Sequence, residues 1–267
     1  MDKTLNRCWF SLIGNTQLTV CQRYFNRSYK MIEYVIPPTL VQSLAAIPTD
    51  QPVALLLRHS VRDPIPEGET GNDLPLTDKG VEIARELGEK LKGRLSTLHT
   101  SPVRRCVQTA EHLRSGAGIN CEIKLDRMLG DPGVFIEDAE VAGQNFHTRE
   151  YWELIASLVR GEKLIGMRHG PTAARQLTEH MLAQIDGKPG VHIFVTHDYF
   201  LATLAAVGLA LASDESLAPK FLDGVFIWQD AQIHGRYKSN QGVIKWPTQT
   251  QTSPNRICVL EGQNEAG

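Results

Sequence analysis

The sequence is short of several things, and each shortage narrows what the protein can be. Its five cysteines (Cys8, Cys21, Cys106, Cys121 and Cys258) are odd in number, scattered and without a C-x-x-C pair. That pattern argues against a disulfide frame or a zinc site and makes the cytoplasm the expected location. Charge of one sign is missing too. The chain's 28 Lys and Arg nearly balance 30 Asp and Glu, for a net charge of -2. No nucleic-acid or membrane-surface partner is therefore expected, although a local basic cleft is compatible with this balance. No apolar run approaches the length of a transmembrane helix, no internal repeat is present, and no ligand set with metal spacing is visible. No cofactor is expected.

What is present suffices for a large core. The chain has 267 residues, of which 42% are hydrophobic, enough for one large domain or a domain with an appendage. The first thirty residues differ from the rest, with Lys3, Arg7, Arg23, Arg27 and Lys30 against Asp2 alone. The expected organisation is an N-terminal extension over 1–45, partly disordered or loosely packed, and a domain over 46–267. Met31 can be read as the true start, and the basic segment before it alternatively as an organellar presequence.

The organising stretch is VALLLRHSVRDP, Val53 to Pro64. Val53 to Leu57 is an unbroken β-prone apolar run, as a strand buried on both faces requires. Arg58, His59 and Arg62 follow at once, and Asp63-Pro64 turns the chain. In open α/β sheets ligands bind beyond the carboxyl ends of strands. An imidazole between guanidiniums there calls for an anion, and phosphate best matches several planar donor forks.

A polar loop follows. Thr77 then caps a helix bearing Val81, Ala84, Leu87 and Leu91 on one stripe, with Gly93 at its end. Leu95 to Thr100 reads as a strand, and Ser101-Pro102 as the start of a second helix capped by Ser101. A third strand is expected within 119–125 and a loop over 127–143. Helices are expected at Tyr151 to Val159, Pro171 to Ile185 and Phe200 to Leu211. Further strands are expected at Val191 to Val195, Phe226 to Trp228 and Ile257 to Leu260. Alternating strands and helices predict a three-layer α/β/α sandwich with a mostly parallel central sheet.

Two of these strands end in a histidine: Leu57 leads to Arg58-His59, and Val195 leads to Thr196-His197-Asp198. As parallel neighbours they would bring both imidazoles to one sheet edge. Arg105, in the first turn of the helix after Ser101, joins them where free N–H groups also favour anions. Arg104 would point about a hundred degrees away, into solvent.

Four motifs in this order, RHSVRDP, the LTDKG helix start, SPVRRCVQTA and VTHDYFLATL, resemble the histidine phosphatase superfamily, the phosphoglycerate-mutase and acid-phosphatase-like enzymes. Ordered motifs are far more specific than one short match. The resemblance covers roughly residues 50–210 and implies a phosphoglycerate-mutase-like fold. By this resemblance His59 matches the nucleophile that becomes phosphorylated. Arg58, Arg62 and Arg105 match the phosphate-binding arginines, and His197 the second pocket histidine. For the general acid the favoured residue is Asp198, with H-D read as in the acid-phosphatase branch, ahead of Asp131, which matches if the mutase branch is followed, with Glu137 third.

The implied activity is a metal-independent phosphomonoester hydrolase acting on a small phosphorylated substrate through a phosphohistidine, with phosphate or vanadate as ligands. A phosphomutase is the nearest alternative. A catalytically degenerate phosphate-binding module is another, because Ser60 stands where the family usually has glycine and could shift His59 or bond phosphate itself. A second RHG, Arg168-His169-Gly170, follows a weak strand and reads as a surface turn. Neither substrate identity nor oligomeric state is written in these motifs.

Overall fold

The unbroken apolar run becomes the middle of a sheet. A computed structural model of the chain describes residues 34–66 and 71–247, and in it β1 (Pro52–Arg58) has Val53 to Leu57 buried without exception. Replacing one of these leucines with alanine would cost about 2–5 kcal/mol, because the sheet and helix layers around it can collapse only partly.

Among the described residues the sheet holds seven strands in the order β3-β2-β4-β1-β5-β6-β7. These are β2 (Leu95–Thr100), β3 (Ile123–Leu125), β4 (Gly190–Thr196), β5 (Gly224–Gln229), β6 (Ile233–Tyr237) and β7 (Asn240–Val243). β3, β2, β4 and β1 run parallel, and β5, β6 and β7 add an antiparallel extension. Leu57 pairs with Val195 and Arg58 with Thr196, so the two histidine-bearing strands are parallel neighbours in register.

Among the described residues seven α-helices surround the sheet: α1 (Pro38–Ala46), α2 (Asp78–Lys90), α3 (Arg104–Ala117), α4 (Ala139–Thr148), α5 (Tyr151–Arg160), α6 (Gly170–Gln184) and α7 (Asp198–Leu209). Alternation along a strand sends neighbouring side chains to opposite faces. Ala54, Leu56, Phe194, Val225 and Ile227 join the cluster formed with α5, α6 and α7. On the other face Leu40 of α1 comes close to Leu55 where Gly224 leaves room. There α2 packs on α3, and α3 on β2 and β4. The result is the expected three-layer sandwich. None of the helices among the described residues is long and apolar enough to cross a membrane.

Local signals explain most boundaries. Thr77 caps α2, its Oγ1 accepting from Gly80 N at 3.0 Å. Elsewhere the structure departs from the sequence reading. The helix expected from Ser101-Pro102 starts later, at Arg104, with Val103 at its cap. Ser101 instead faces the histidine site, and its Oγ accepts from Val103 N at 3.3 Å. The loop expected over 127–143 contains a 3-10 turn at Arg127–Leu129 and the start of α4, where Asp138 accepts from Glu140 N at 3.0 Å. β6 and β7 have no apolar alternation strong enough to announce them. The unit starting at Val35 includes α1, which lies largely within the expected extension and buries Leu40 and Leu44. Residues 1–33, and the strand expected at 257–260, lie outside the described residues.

Candidate active site

Three parallel strands deliver the site to one edge. The ladder continues one residue past β1, with His59 N donating to Thr196 O at 2.9 Å, and Ser101 N donates to Val195 O at 2.9 Å beyond β2. His59, Ser101 and His197 are therefore placed by backbone hydrogen bonds of adjacent strands. All three are buried.

The hydrogen bonds assign a proton to each ring. His59 Nδ1 lies 2.7 Å from Ser60 O. A carbonyl can only accept, so Nδ1 carries the hydrogen and Nε2 keeps its lone pair. That lone pair accepts from Arg105 Nε at 3.0 Å. Arg105 Nη2 reaches His197 Nδ1 at 3.2 Å, and Nη1 donates to Gly71 O at 2.7 Å. His197 Nδ1 thus accepts, which puts its hydrogen on Nε2, 3.3 Å from Ser101 Oγ. The ring centroids of His59 and His197 are 5.7 Å apart.

Both imidazoles are held neutral. Burial, reinforced by His197, Arg105 and Arg58, pushes the His59 pKa well below 6.5. Burial and then Arg105 lower that of His197 to about 3. Buried next to guanidiniums, neither ring can take a proton without either desolvating a charge or placing it beside another.

Around them lies a cleft of about 690 Å³ lined by His59, Arg62, Arg105, Asp131, His197 and Asp198, among others. Six of the seven residues singled out from sequence thus border one space. Arg58 stands behind it. Its Nη2 pairs with Asp198 Oδ2 at 2.9 Å, its Nη1 donates to Pro219 O at 2.7 Å, and its guanidinium lies 4.3 Å from the Phe221 ring centre. Arg62 donates from Nη1 to Asp63 O at 2.6 Å, while its buried Nε has no partner among the described residues. Asp131 is half-exposed at the rim, with Arg127 at 3.7 Å. Glu137 does not line the cleft.

Ser60 is turned away from this space. Its Oγ donates to Gly80 O at 2.7 Å, and its N–H to Thr109 Oγ1 at 3.0 Å. Gly80 is needed for that approach, because a Cβ there would run into Val61 O. Arg104 is exposed, as expected. Likewise, His169 is an exposed helix cap on α6, its Nδ1 accepting from Thr172 N at 3.4 Å.

Several neighbours of the site were silent in sequence. Gly130 has φ +150, and a Cβ on it would lie 2.7 Å from His197 Nε2 and 2.6 Å from Ser101 Oγ, so the turn at 130 packs directly on the second imidazole. Tyr151, Tyr199 and Phe146 also line the cleft. Glycine at a turn and aromatics on helices have commoner explanations, which is why no signal singled them out. Among the described residues no group of His, Cys, Asp and Glu is arranged to hold a metal ion.

No curated protein matches the chain. Solved structures similar to it include a mycobacterial glucosyl-3-phosphoglycerate phosphatase (18% identity, 66% of this chain and 89% of that one, TM-score 0.46). Also similar are a phosphoserine phosphatase from Entamoeba histolytica (15%, 73% and 96%, TM-score 0.48) and a phosphoglycerate mutase from Bacillus anthracis (18%, 73% and 93%, TM-score 0.45). The family model described as the histidine phosphatase superfamily (branch 1) matches residues 54–216, more than half of the sequence, and the chain belongs to that superfamily.

Proposed function

We propose that the protein is a phosphomonoester hydrolase that works through a phosphohistidine on His59. The observation that carries this reading is the fixed tautomer: Nδ1–H is tied to Ser60 O, and the Nε2 lone pair faces Arg105 in a space that also holds Arg62 and His197. Phosphoryl transfer through a loose transition state asks the protein for positioning and charge neutralisation. Arg62 and Arg105 supply both to the equatorial oxygens. When phosphate enters, Arg105 exchanges its bond to Nε2 for one to a phosphoryl oxygen, which frees the lone pair to attack.

In the first step an N–P bond forms at Nε2 as the ester P–O bond breaks, and the leaving alkoxide takes a proton from a carboxylic acid. In the second, water attacks phosphorus, its proton returns to that carboxylate and the N–P bond breaks to release inorganic phosphate. We assign the proton transfer to Asp131. Both oxygens of Asp198 are engaged, Oδ2 by Arg58 and Oδ1 by Tyr199 N at 2.9 Å. That leaves Asp198 the task of holding Arg58 beside His59. Asp131 sits on the cleft rim and has no such double engagement.

The binding-only alternative drew its force from Ser60, and Ser60 Oγ is spent on Gly80 O, outside the cleft. The deciding experiment is turnover of p-nitrophenyl phosphate in the presence of EDTA. Turnover that resists chelation and vanishes in His59→Ala supports the hydrolase. Retained vanadate binding without turnover would replace it with a phosphate-binding module.

A further inference from the structure

The phosphate end accounts for only one part of the cleft. Its remaining wall includes Ile136, Ala142, Phe146, Tyr151 and Tyr199. Phe146 is a large apolar side chain left 41% exposed at this mouth, and its ring meets Tyr199 edge-on with centroids 5.4 Å apart. An exposed aromatic beside a cleft is a surface waiting for apolar contact.

Charge selects further. Among the described residues lining the cleft, the permanent cations are Arg62 and Arg105, both at the phosphate end. The anions are Asp131 and Asp198, with Arg127 at 3.7 Å and Arg58 at 2.9 Å respectively. An acidic leaving group would find no free counter-charge along this wall, and a cationic one would have to compete for carboxylates that already have partners.

We propose that the substrate's leaving group is an uncharged, largely apolar alcohol of ring size that packs on Phe146 and Tyr199. The inference deepens the hydrolase reading and rests on it.

The test compares kcat/KM of the full chain on alkyl phosphates of similar intrinsic reactivity: 2-phenylethyl phosphate, 3-phosphoglycerate and phosphocholine. The neutral aromatic ester is expected to be preferred over both others by roughly tenfold or more, the worth of one aromatic pair together with its buried area. Phe146→Ala should erase most of that preference, and Phe146→Arg should move it toward 3-phosphoglycerate. His59-dependent turnover that favours 3-phosphoglycerate or phosphocholine overturns the substrate assignment alone. So does a preference indifferent to Phe146. Absence of turnover on every ester overturns the hydrolase reading itself, and this inference with it.

Discussion

Arg105 donates its Nε–H to the same lone pair of His59 that would attack phosphorus, at 3.0 Å. One guanidinium therefore covers the proposed nucleophile and bridges to His197 through Nη2. Arg105→Lys keeps a charge but loses the fork, and should lower kcat about 10²–10³-fold, as expected for removal of a preorganised donor. Because Arg105 is one of the groups disfavouring protonation of His59, the acidic limb of kcat/KM should also move to higher pH in Arg105→Ala. An unchanged limb would show that Arg105 is not among the groups that set the state of His59.

The two aspartates make different predictions. Asp131→Asn should slow alkyl phosphates far more than p-nitrophenyl phosphate, because only the poor leaving group needs the proton. Asp198→Asn should slow both alike, since it releases Arg58 rather than removing a proton donor. A steep leaving-group dependence in Asp198→Asn, measured by steady-state kinetics, would reverse the assignment.

Ser60→Gly removes a buried hydrogen bond to Gly80 O but touches nothing in the cleft. The expected outcome is a loss of about 1 kcal/mol in urea unfolding with kcat preserved within a few-fold. A large gain or loss of kcat at unchanged stability would mean that the hydroxyl reaches the phosphate after all.

Gly130→Ala should behave in the opposite way. The new methyl group would press on His197 Nε2 and Ser101 Oγ at a φ that side chains rarely adopt. A fall in kcat of tenfold or more, with weakened vanadate binding by calorimetry, is the expected result. Full activity would show that His197 need not hold its present position.

Stability should fall on the acid side of neutrality. His59, His197 and His99 all have folded pKa values below 6.5, about 3 for His197 and about 4 for His99, with burial as the largest cause in each. Below pH 6.5 the unfolded chain binds protons that these rings refuse in the fold, so acid favours unfolding and the loss grows down to the folded values. Each ring contributes at most about 1.4 kcal/mol per pH unit through that window. His99 stacks on Phe194 with centroids 4.6 Å apart, and His99→Phe should flatten the profile between about pH 6.5 and 4 in urea titrations. An unaltered profile would show that His99 is not among its sources.

The apolar run Val53 to Leu57, the cap at Thr77 and the strand at Val191 to Val195 are local signals, and each was legible because one segment carries its whole cause. The neighbours of His59 were legible for the same reason: strands buried on both faces end where ligands bind, so their terminal residues announce themselves. The chain alone thus determined the layer architecture and the residues at the carboxyl edge. Tertiary packing decided the rest. Whether Ser60 faces phosphate, which nitrogen of His59 holds its hydrogen, whether Asp198 or Asp131 has a free oxygen, and which aromatics wall the cleft all depend on groups brought together from distant positions. Hydrogen-bond direction and burial are properties of neighbours in space, and a linear sequence does not carry them.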